Sequence, residues 1–307
     1  MIVFFCSCSA VSSDTTDSKV TASTFGPPVL VGTVRSNDIT ESSGIVASRC
    51  QNNLLWTHND SGDGPYIYAL DPAGNNLGMW KIPNVTNIDW EDIAEFKDPS
   101  GACFIYIGEI GDNNTQRVEH DVYRIHEPVP GPADANSTRQ NVRITENADI
   151  LKFNYPNSIQ NSETLMVHPV SGDIYVVSKH QSGPANVYRI APQFGLSALV
   201  TAVKVGEVSV PTIPIGLLTG GDISPDGRSV ILCDYAGAYE LSLPLDVKTS
   251  VKAFNQIWQQ TPQTIDRGKL QQCEAVGYSP DGGAIFFTSE GSHSPIVRIS
   301  RTTTRSQ

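Results

Sequence analysis

Short apolar runs closed by polar clusters recur along the chain, and they recur in register. The tetrapeptides Ile67–Leu70 (IYAL), Val122–Ile125 (VYRI), Val187–Ile190 (VYRI), Ala238–Leu241 (AYEL) and Ile296–Ile299 (IVRI) share one pattern of apolar and polar positions. Each follows a run that ends in polar residues: LLWTHND, FIYIGEIGDN, IYVVSKH, VILCDY and IFFTSEG. Each of those follows another: SGIVAS, EDIAEF, ETLMVH, GDISPDG and EAVGYSPDG. After the first four tetrapeptides comes a fourth run, near Leu77–Ile82, Ile150–Tyr155, Val200–Val210 and Phe254–Gln259.

Four short strands in a repeat of roughly 50–60 residues describe a β-propeller blade. The turns agree, since Asp71-Pro-Ala-Gly, Ser224-Pro-Asp-Gly and Ser279-Pro-Asp-Gly supply the Pro and Gly of tight reversals. The fifth unit lacks an outer strand because little chain follows Ile299, whereas Pro28–Val34 is an apolar strand left over at the other end. The expected fold is therefore all-β: a five-bladed propeller with four strands per blade, closed by the N-terminal strand so that no edge stays open. The segment Glu127–Asp149, with three prolines and few apolar residues, reads as a loop and not as a sixth blade. The propeller is expected over residues 25–302, with a tail at 303–307.

Composition adjusts this picture at its margins. A net charge of -11 disfavours nucleic acid and anionic membranes and suits cations. No apolar run reaches the roughly 20 residues of a membrane span. The start, MIVFFCSCSA, has the apolar run and small residues of a secretory signal without its basic head, and a Ser/Thr/Asp-rich linker follows, so residues 1–24 are set apart from the fold. Of six cysteines, Cys6 and Cys8 fall in that segment. The other four have no C-x-x-C spacing, which favours disulfides over zinc. Their positions in the repeat predict Cys50–Cys103 and Cys233–Cys273. Sequons at Asn59, Asn84, Asn113 and Asn136 permit glycosylation in a eukaryotic secretory route.

The combination of SGI at Ser43, THNDSG at Thr57, DWEDIA at Asp89 and IGDN at Ile110 resembles a group of uncharacterised secreted bacterial propeller proteins. With its SPDG turns, the chain is similar to propellers of the gluconolactonase-like and YVTN-repeat kind. The resemblance spans most of Glu41–Asn113 and implies the fold and a secreted setting. It implies no reaction.

Aligning the units places Ser43, Glu91, Glu163, Gly221 and Glu274 at the start of the inner strands, and Asn59, Glu109, Lys179, Asp234 and Glu290 at the end of the second strands. In a propeller these positions share one face. Asp60, Asp92, Asp112 and Asp222 lie beside them, so one mouth of the central channel should be ringed by oxygen-bearing side chains. Calcium takes six to eight such oxygens. The expected calcium ligands are Glu91, Glu163 and Glu274, completed by Glu109, Asp112 and Asn59; the alternative is that these groups only cap loop N–H groups. His58, His180 and His293 fall at or just past second-strand ends and supply a general base or a metal ligand, or else are ordinary loop imidazoles. Trp56, Trp90 and Tyr235 are either a stacking platform or wedges between blades. There is no Gly-x-Ser-x-Gly elbow and no phosphate-binding loop.

Three functions compete. One is a secreted calcium-dependent hydrolase of esters, lactones or phosphoesters. The second is a non-catalytic extracellular binding module that grips a small-molecule, glycan or protein ligand at the channel mouth, with a structural calcium. The third is a structural secreted protein that holds calcium for stability. Each is expected to be a monomer.

Overall fold

The computed structural model describes residues 23–195, 198–247 and 250–303. The signal-like start, up to residue 22, lies outside them. Five antiparallel sheets follow one another around a ring, which is the five-bladed propeller expected. From axis to rim, blade 1 comprises Ser42–Ala47, Leu55–Asn59, Tyr66–Leu70 and Asn76–Lys81; blade 2, Trp90–Lys97, Cys103–Glu109, His120–His126 and Asp149–Asn154. Blade 3 comprises Ser162–Val167, Ile174–Ser178, Ala185–Ile190 and Val203–Val208; blade 4, Gly220–Ile223, Ser229–Cys233, Ala238–Ser242 and Gln263–Ile265. Blade 5 has Cys273–Tyr278, Ala284–Ser289 and Pro295–Thr303, and its rim strand is Val29–Thr33 from the other end of the chain. Leu30 pairs with Val297 and Thr33 with Pro295, so the ring is closed by the N-terminal strand.

The inner strands of blades 1, 3, 4 and 5 are buried from end to end, and that of blade 2 as far as Glu95, because they touch a neighbouring blade on either side. Apolar side chains of adjacent blades interdigitate around Trp56 and Trp90, both 0% exposed, which makes them wedges and not a platform. Two carboxylates fill the axis. Asp92 Oδ2 accepts from the Leu165 amide of blade 3 at 3.0 Å and from the Gly221 amide of blade 4 at 3.3 Å. Asp222 Oδ2 accepts from the Tyr278 amide of blade 5 at 2.9 Å. A buried carboxylate without a counter-ion is tolerable here because each accepts several N–H bonds. Gly44 makes room for the first: a Cβ there would lie 2.7 Å from Asp92 Oδ1.

The connections between third and fourth strands depart from the expectation. Segment 127–148 is not a plain loop. Its 3-10 turn Asp134–Asn136 leads to Arg143–Ile144, which crosses to blade 1 and pairs parallel with Trp80–Lys81. An Arg143–Asp134 ion pair and the Met79 amide bond to Ser137 Oγ, 2.8 Å, hold it there. Blade 3 does the same to blade 2, with Val200–Thr201 beside Phe153–Asn154. The run Phe254–Gln259, expected to be the rim strand of blade 4, is helical instead: Val251–Phe254 is α and Asn255–Gln259 is 3-10. Phe254, Ile257 and Trp258 recur at helical spacing, so they form one apolar stripe. That stripe packs back on blade 3, with Phe254 edge-on to Tyr175 at 5.2 Å and Trp258 seated over Gly206. Blade 4 takes Gln263–Ile265 as its rim strand. The short turn Asp71–Gly74 of blade 1 likewise grips blade 5, where Thr33 and Arg35 donate to the Ala73 and Gly74 carbonyls at 3.3 and 3.0 Å.

Cys50 and Cys103 form the expected disulfide between blades 1 and 2, with Cα atoms 6.2 Å apart. The second expected bridge is absent. Cys233 and Cys273 are buried free thiols across the seam of blades 4 and 5. Burial and the neighbouring Cys273 thiol push the Cys233 thiol well up, so it stays protonated. The Thr219 hydroxyl donates to the Cys273 carbonyl at 2.9 Å and lies 3.7 Å from Cys233 Sγ, giving the pair a polar neighbour without a bridge. Among the described residues no helix is long and apolar enough to cross a membrane.

Candidate functional site

At one end of the ring the inner strands begin and the second strands end, and the acidic residues gather there. Glu91 is the second residue of Trp90–Lys97 and is 2% exposed. No hydrogen bond or ion pair reaches its carboxylate among the described residues. Asp89 sits two positions earlier in the entering loop, and Asp60 directly follows the second strand of blade 1. One carboxylate oxygen from each of Asp60, Asp89 and Glu91 lies within 4.8 Å of the others.

Neighbouring residues force this approach. Glu109, at the end of the second strand, accepts from the amides of Ile88 at 2.8 Å and Asp89 at 3.0 Å, which fixes the loop bearing Asp89. Arg117 clamps Glu109 Oε1 at 2.6 Å and the Gly111 carbonyl at 2.9 Å. Gly111 then leaves the cluster its space: a Cβ there would fall 2.2 Å from Glu91 Oε1 and 2.5 Å from Asp89 Oδ2. This glycine belongs to the IGDN motif, whose chemistry is thus a cradle.

Like charges held this close resist ionising. Burial first, then Glu163, Asp60 and Asp89, push the Glu91 carboxyl well above the usual range. Burial, with Asp89 and Glu163 adding to it, pushes Asp60 up to about 7. Asp89 is also raised, chiefly by burial, against the opposing pull of Arg117.

The remaining expected ligands have other occupations. Glu163 is paired with Lys179 Nζ at 2.6 Å, yet burial still carries it upward. Lys179 also donates to the Tyr235 hydroxyl at 2.8 Å. Glu274 is raised by burial and by a hydrogen bond with Glu290, on the blade 5 side of the mouth. Glu91, Glu163 and Glu274 do share the mouth, near enough for Glu163 to act on both of the others. Glu109 is the scaffold just described. Asp112 Oδ2 accepts from the Arg117 amide at 2.7 Å. Asn59 Oδ1 accepts from the Thr40 and Glu41 amides at 3.0 and 3.1 Å, and its amide donates to Asp63.

The three histidines bond locally and none joins the cluster. His58 Nδ1 donates to the Asn59 carbonyl at 2.9 Å, its ring edge meets Trp90, and burial lowers it to about 4, so it stays neutral. His180 Nδ1 donates to the Pro184 carbonyl at 2.7 Å. His293 Nδ1 donates to the Val34 carbonyl at 3.1 Å. Asp60 and Asp89 complete the cluster although they stand outside the aligned strand ends; the signal was their place one or two residues from Asn59 and Glu91.

No family model matches the chain. No curated protein sequence matches it either. Solved structures of similar shape include the PQQ-bound aldose sugar dehydrogenase of Streptomyces coelicolor, 12% identical over 92% of this chain and 100% of that one, with a TM-score of 0.47. A luciferin-regenerating enzyme is 9% identical over 90% and 97% of the two chains, TM-score 0.44. A chain of the nidogen/laminin complex is 13% identical over 81% and 72%, TM-score 0.44. Likeness at this level assigns no activity.

Proposed function

We propose that the protein is an extracellular, calcium-dependent binding module whose ligand meets the acidic mouth of the propeller. One observation carries this reading: Glu91 is 2% exposed, its carboxylate makes no hydrogen bond or ion pair among the described residues, and it faces Asp60 and Asp89. An orphaned buried carboxylate among like charges is stable only with a proton or a cation. The all-oxygen donor set suits a hard cation such as calcium and not a thiophilic one. Asp60, Asp89 and Glu91 would hold the ion, which would neutralise their charge and offer open positions to ligand oxygens. Asp60 and Asp89 are partly exposed, so the cluster faces solvent on one side. The filled axis and the imidazoles turned aside favour binding over catalysis. The Cys50–Cys103 bridge supports an oxidising compartment.

A second reading is hydrolysis of an ester, lactone or phosphoester at this mouth. Glu163 favours it, as a carboxylate outside the trio that burial has made more basic. Metal analysis of purified protein, followed by calcium titration and a substrate panel with and without chelator, tests both. Calcium binding without turnover is expected. Calcium-dependent turnover would replace the first reading by the second, and failure to bind calcium would end both.

A further inference from the structure

The end of the ring opposite the acidic mouth carries the turns that join inner to second strands, and these turns share a conformation. Each holds one residue at positive φ: Asn53 at 55°, Gly101 at 92°, Gly172 at 72°, Gly227 at 67° and Gly282 at 68°. Four blades use glycine, which adopts this region freely; blade 1 uses asparagine, which tolerates it and keeps an amide. At three seams the preceding blade closes on the glycine. A Cβ on Gly172 would lie 3.3 Å from the Phe96 ring, one on Gly227 3.0 Å from His168 Nε2, and one on Gly282 3.5 Å from Pro225. The Cys50–Cys103 bridge ties the seam of blades 1 and 2. At the seam of blades 5 and 1, where the ring is closed, Asn53 instead borders a half-open cavity of about 480 Å³.

The lining of this cavity has two characters. Leu54, Leu55 and Phe286 supply a buried apolar floor, and Asn52, Asn53 and Arg298 supply polar groups. Arg298 stands directly opposite Phe286 in the sheet of blade 5, so the two side chains share one face. Arg298 Nη1 donates to Ser300 Oγ at 2.7 Å, and the guanidinium makes no ion pair among the described residues. The side-chain amides of Asn52 and Asn53 make no hydrogen bond among them either. Asp281, the one acid in the lining, is turned into its own loop, where Oδ1 accepts from the Ser279 hydroxyl at 2.6 Å and the Gly283 amide at 2.9 Å. A guanidinium with unused N–H donors is matched by a carboxylate, which it grips with two parallel bonds. The nearby Asp281 charge repels a dianion more than a monoanion. The volume, about 480 Å³, falls within the roughly 300–1,000 Å³ of small-molecule sites.

We propose that the cavity between blades 5 and 1 is a binding site for a small monocarboxylate with a compact apolar body, its carboxylate held by Arg298 and Asn53 and its body laid on Leu54, Leu55 and Phe286. The site lies at the other end of the inner strands from the acidic cluster and goes beyond the calcium reading, which it neither needs nor supports. Both halves of the ligand are required. A neutral apolar molecule leaves the guanidinium without its counter-charge, and a carboxylate without a body leaves the floor wet.

The test compares phenylacetate, phenylacetamide and acetate by isothermal titration and saturation-transfer NMR on the full protein, in calcium and in chelator. Phenylacetate should bind, with saturation passing to its ring protons. Phenylacetamide has the same shape without the charge and should bind roughly tenfold more weakly, because a neutral bond replaces a charge-assisted one. Acetate buries no ring and should also bind at least roughly tenfold more weakly. Arg298→Gln should bring phenylacetate down to the affinity of the amide. Asn53→Gly gives blade 1 the turn residue of the other four blades, so it removes the amide without straining the backbone; it should weaken phenylacetate several-fold, and it decides the matter should Arg298→Gln misfold. All of these affinities should be the same in calcium and in chelator. No binding of phenylacetate, equal affinities for acid and amide, or a phenylacetate affinity unchanged by either variant would overturn the site. Binding that needs calcium would place the ligand at the acidic mouth and overturn it too, while leaving the calcium reading intact.

Discussion

At Glu91 the competing forces are easiest to compare. The residue is nearly buried, its carboxylate makes no hydrogen bond or ion pair among the described residues, and it faces two more carboxylates. Glu91→Gln removes the worst of these charges while keeping the shape. In chelator the variant should melt higher than the parent; in calcium it should melt lower, because only the parent gains the binding free energy. That gain is about 2.7 kcal/mol at a hundredfold excess of calcium over Kd. Scanning calorimetry in both buffers checks the crossing, and a variant that ranks the same way in both would refute the assignment. Gly111→Ala is a steric counterpart. The added carbon meets Glu91 Oε1 and Asp89 Oδ2 and removes no charge. Calcium affinity should fall by at least tenfold, read by isothermal titration, while the far-UV circular dichroism spectrum stays that of the parent. The aligned glutamates were readable in the chain because they repeat. The role of Gly111 was not, because a missing side chain shows its use only when the groups that fill its place are known.

Elements tell a similar story about what periodicity reveals. The second and third strands of each blade were legible, since short β runs with fixed spacing and Pro-Gly turns leave few alternatives. The helical segment at blade 4 was not, because Phe254, Ile257 and Trp258 make an apolar run whose helical spacing emerges only over a full turn or two. Its packing partner is also remote, since Tyr175 and Gly206 belong to blade 3. The segment after Glu127 forms no sixth blade, as expected, but its two-residue rim strand was not legible for a related reason: Arg143 and Ile144 are exposed and form a strand only by pairing with a rim elsewhere. Phe254→Ala should cost about 3–5 kcal/mol, the usual cost of emptying a buried aromatic site. Denaturant titration measures it, and a loss below about 1 kcal/mol would show the stripe to be superficial.

For the whole molecule, the acidic mouth couples folding to protons. A carboxyl raised in the folded state holds a proton that the unfolded chain releases at lower pH. Asp60 stands at about 7 because of burial and its acidic neighbours, and Glu95, near the opposite mouth, at about 8, chiefly through burial. The calcium-free fold therefore binds more protons than the unfolded chain between about pH 4 and those values, so its stability should fall as pH rises through that window. Calcium should flatten the loss by replacing protons at the mouth. Melting curves from pH 5 to pH 8 (about the relevant window) would refute this if the calcium-free protein grew more stable with rising pH. The rim clasps have a different consequence. Blade 2 holds blade 1, blade 3 holds blade 2, blade 4 holds blade 3, and blade 1 holds blade 5. A protease cut in the exposed stretch Thr138–Asn141 thus severs blade 2's own connection but releases the rim of blade 1. Damage is displaced by one position around the ring, and a scar in one repeat would be felt as looseness in the repeat before it.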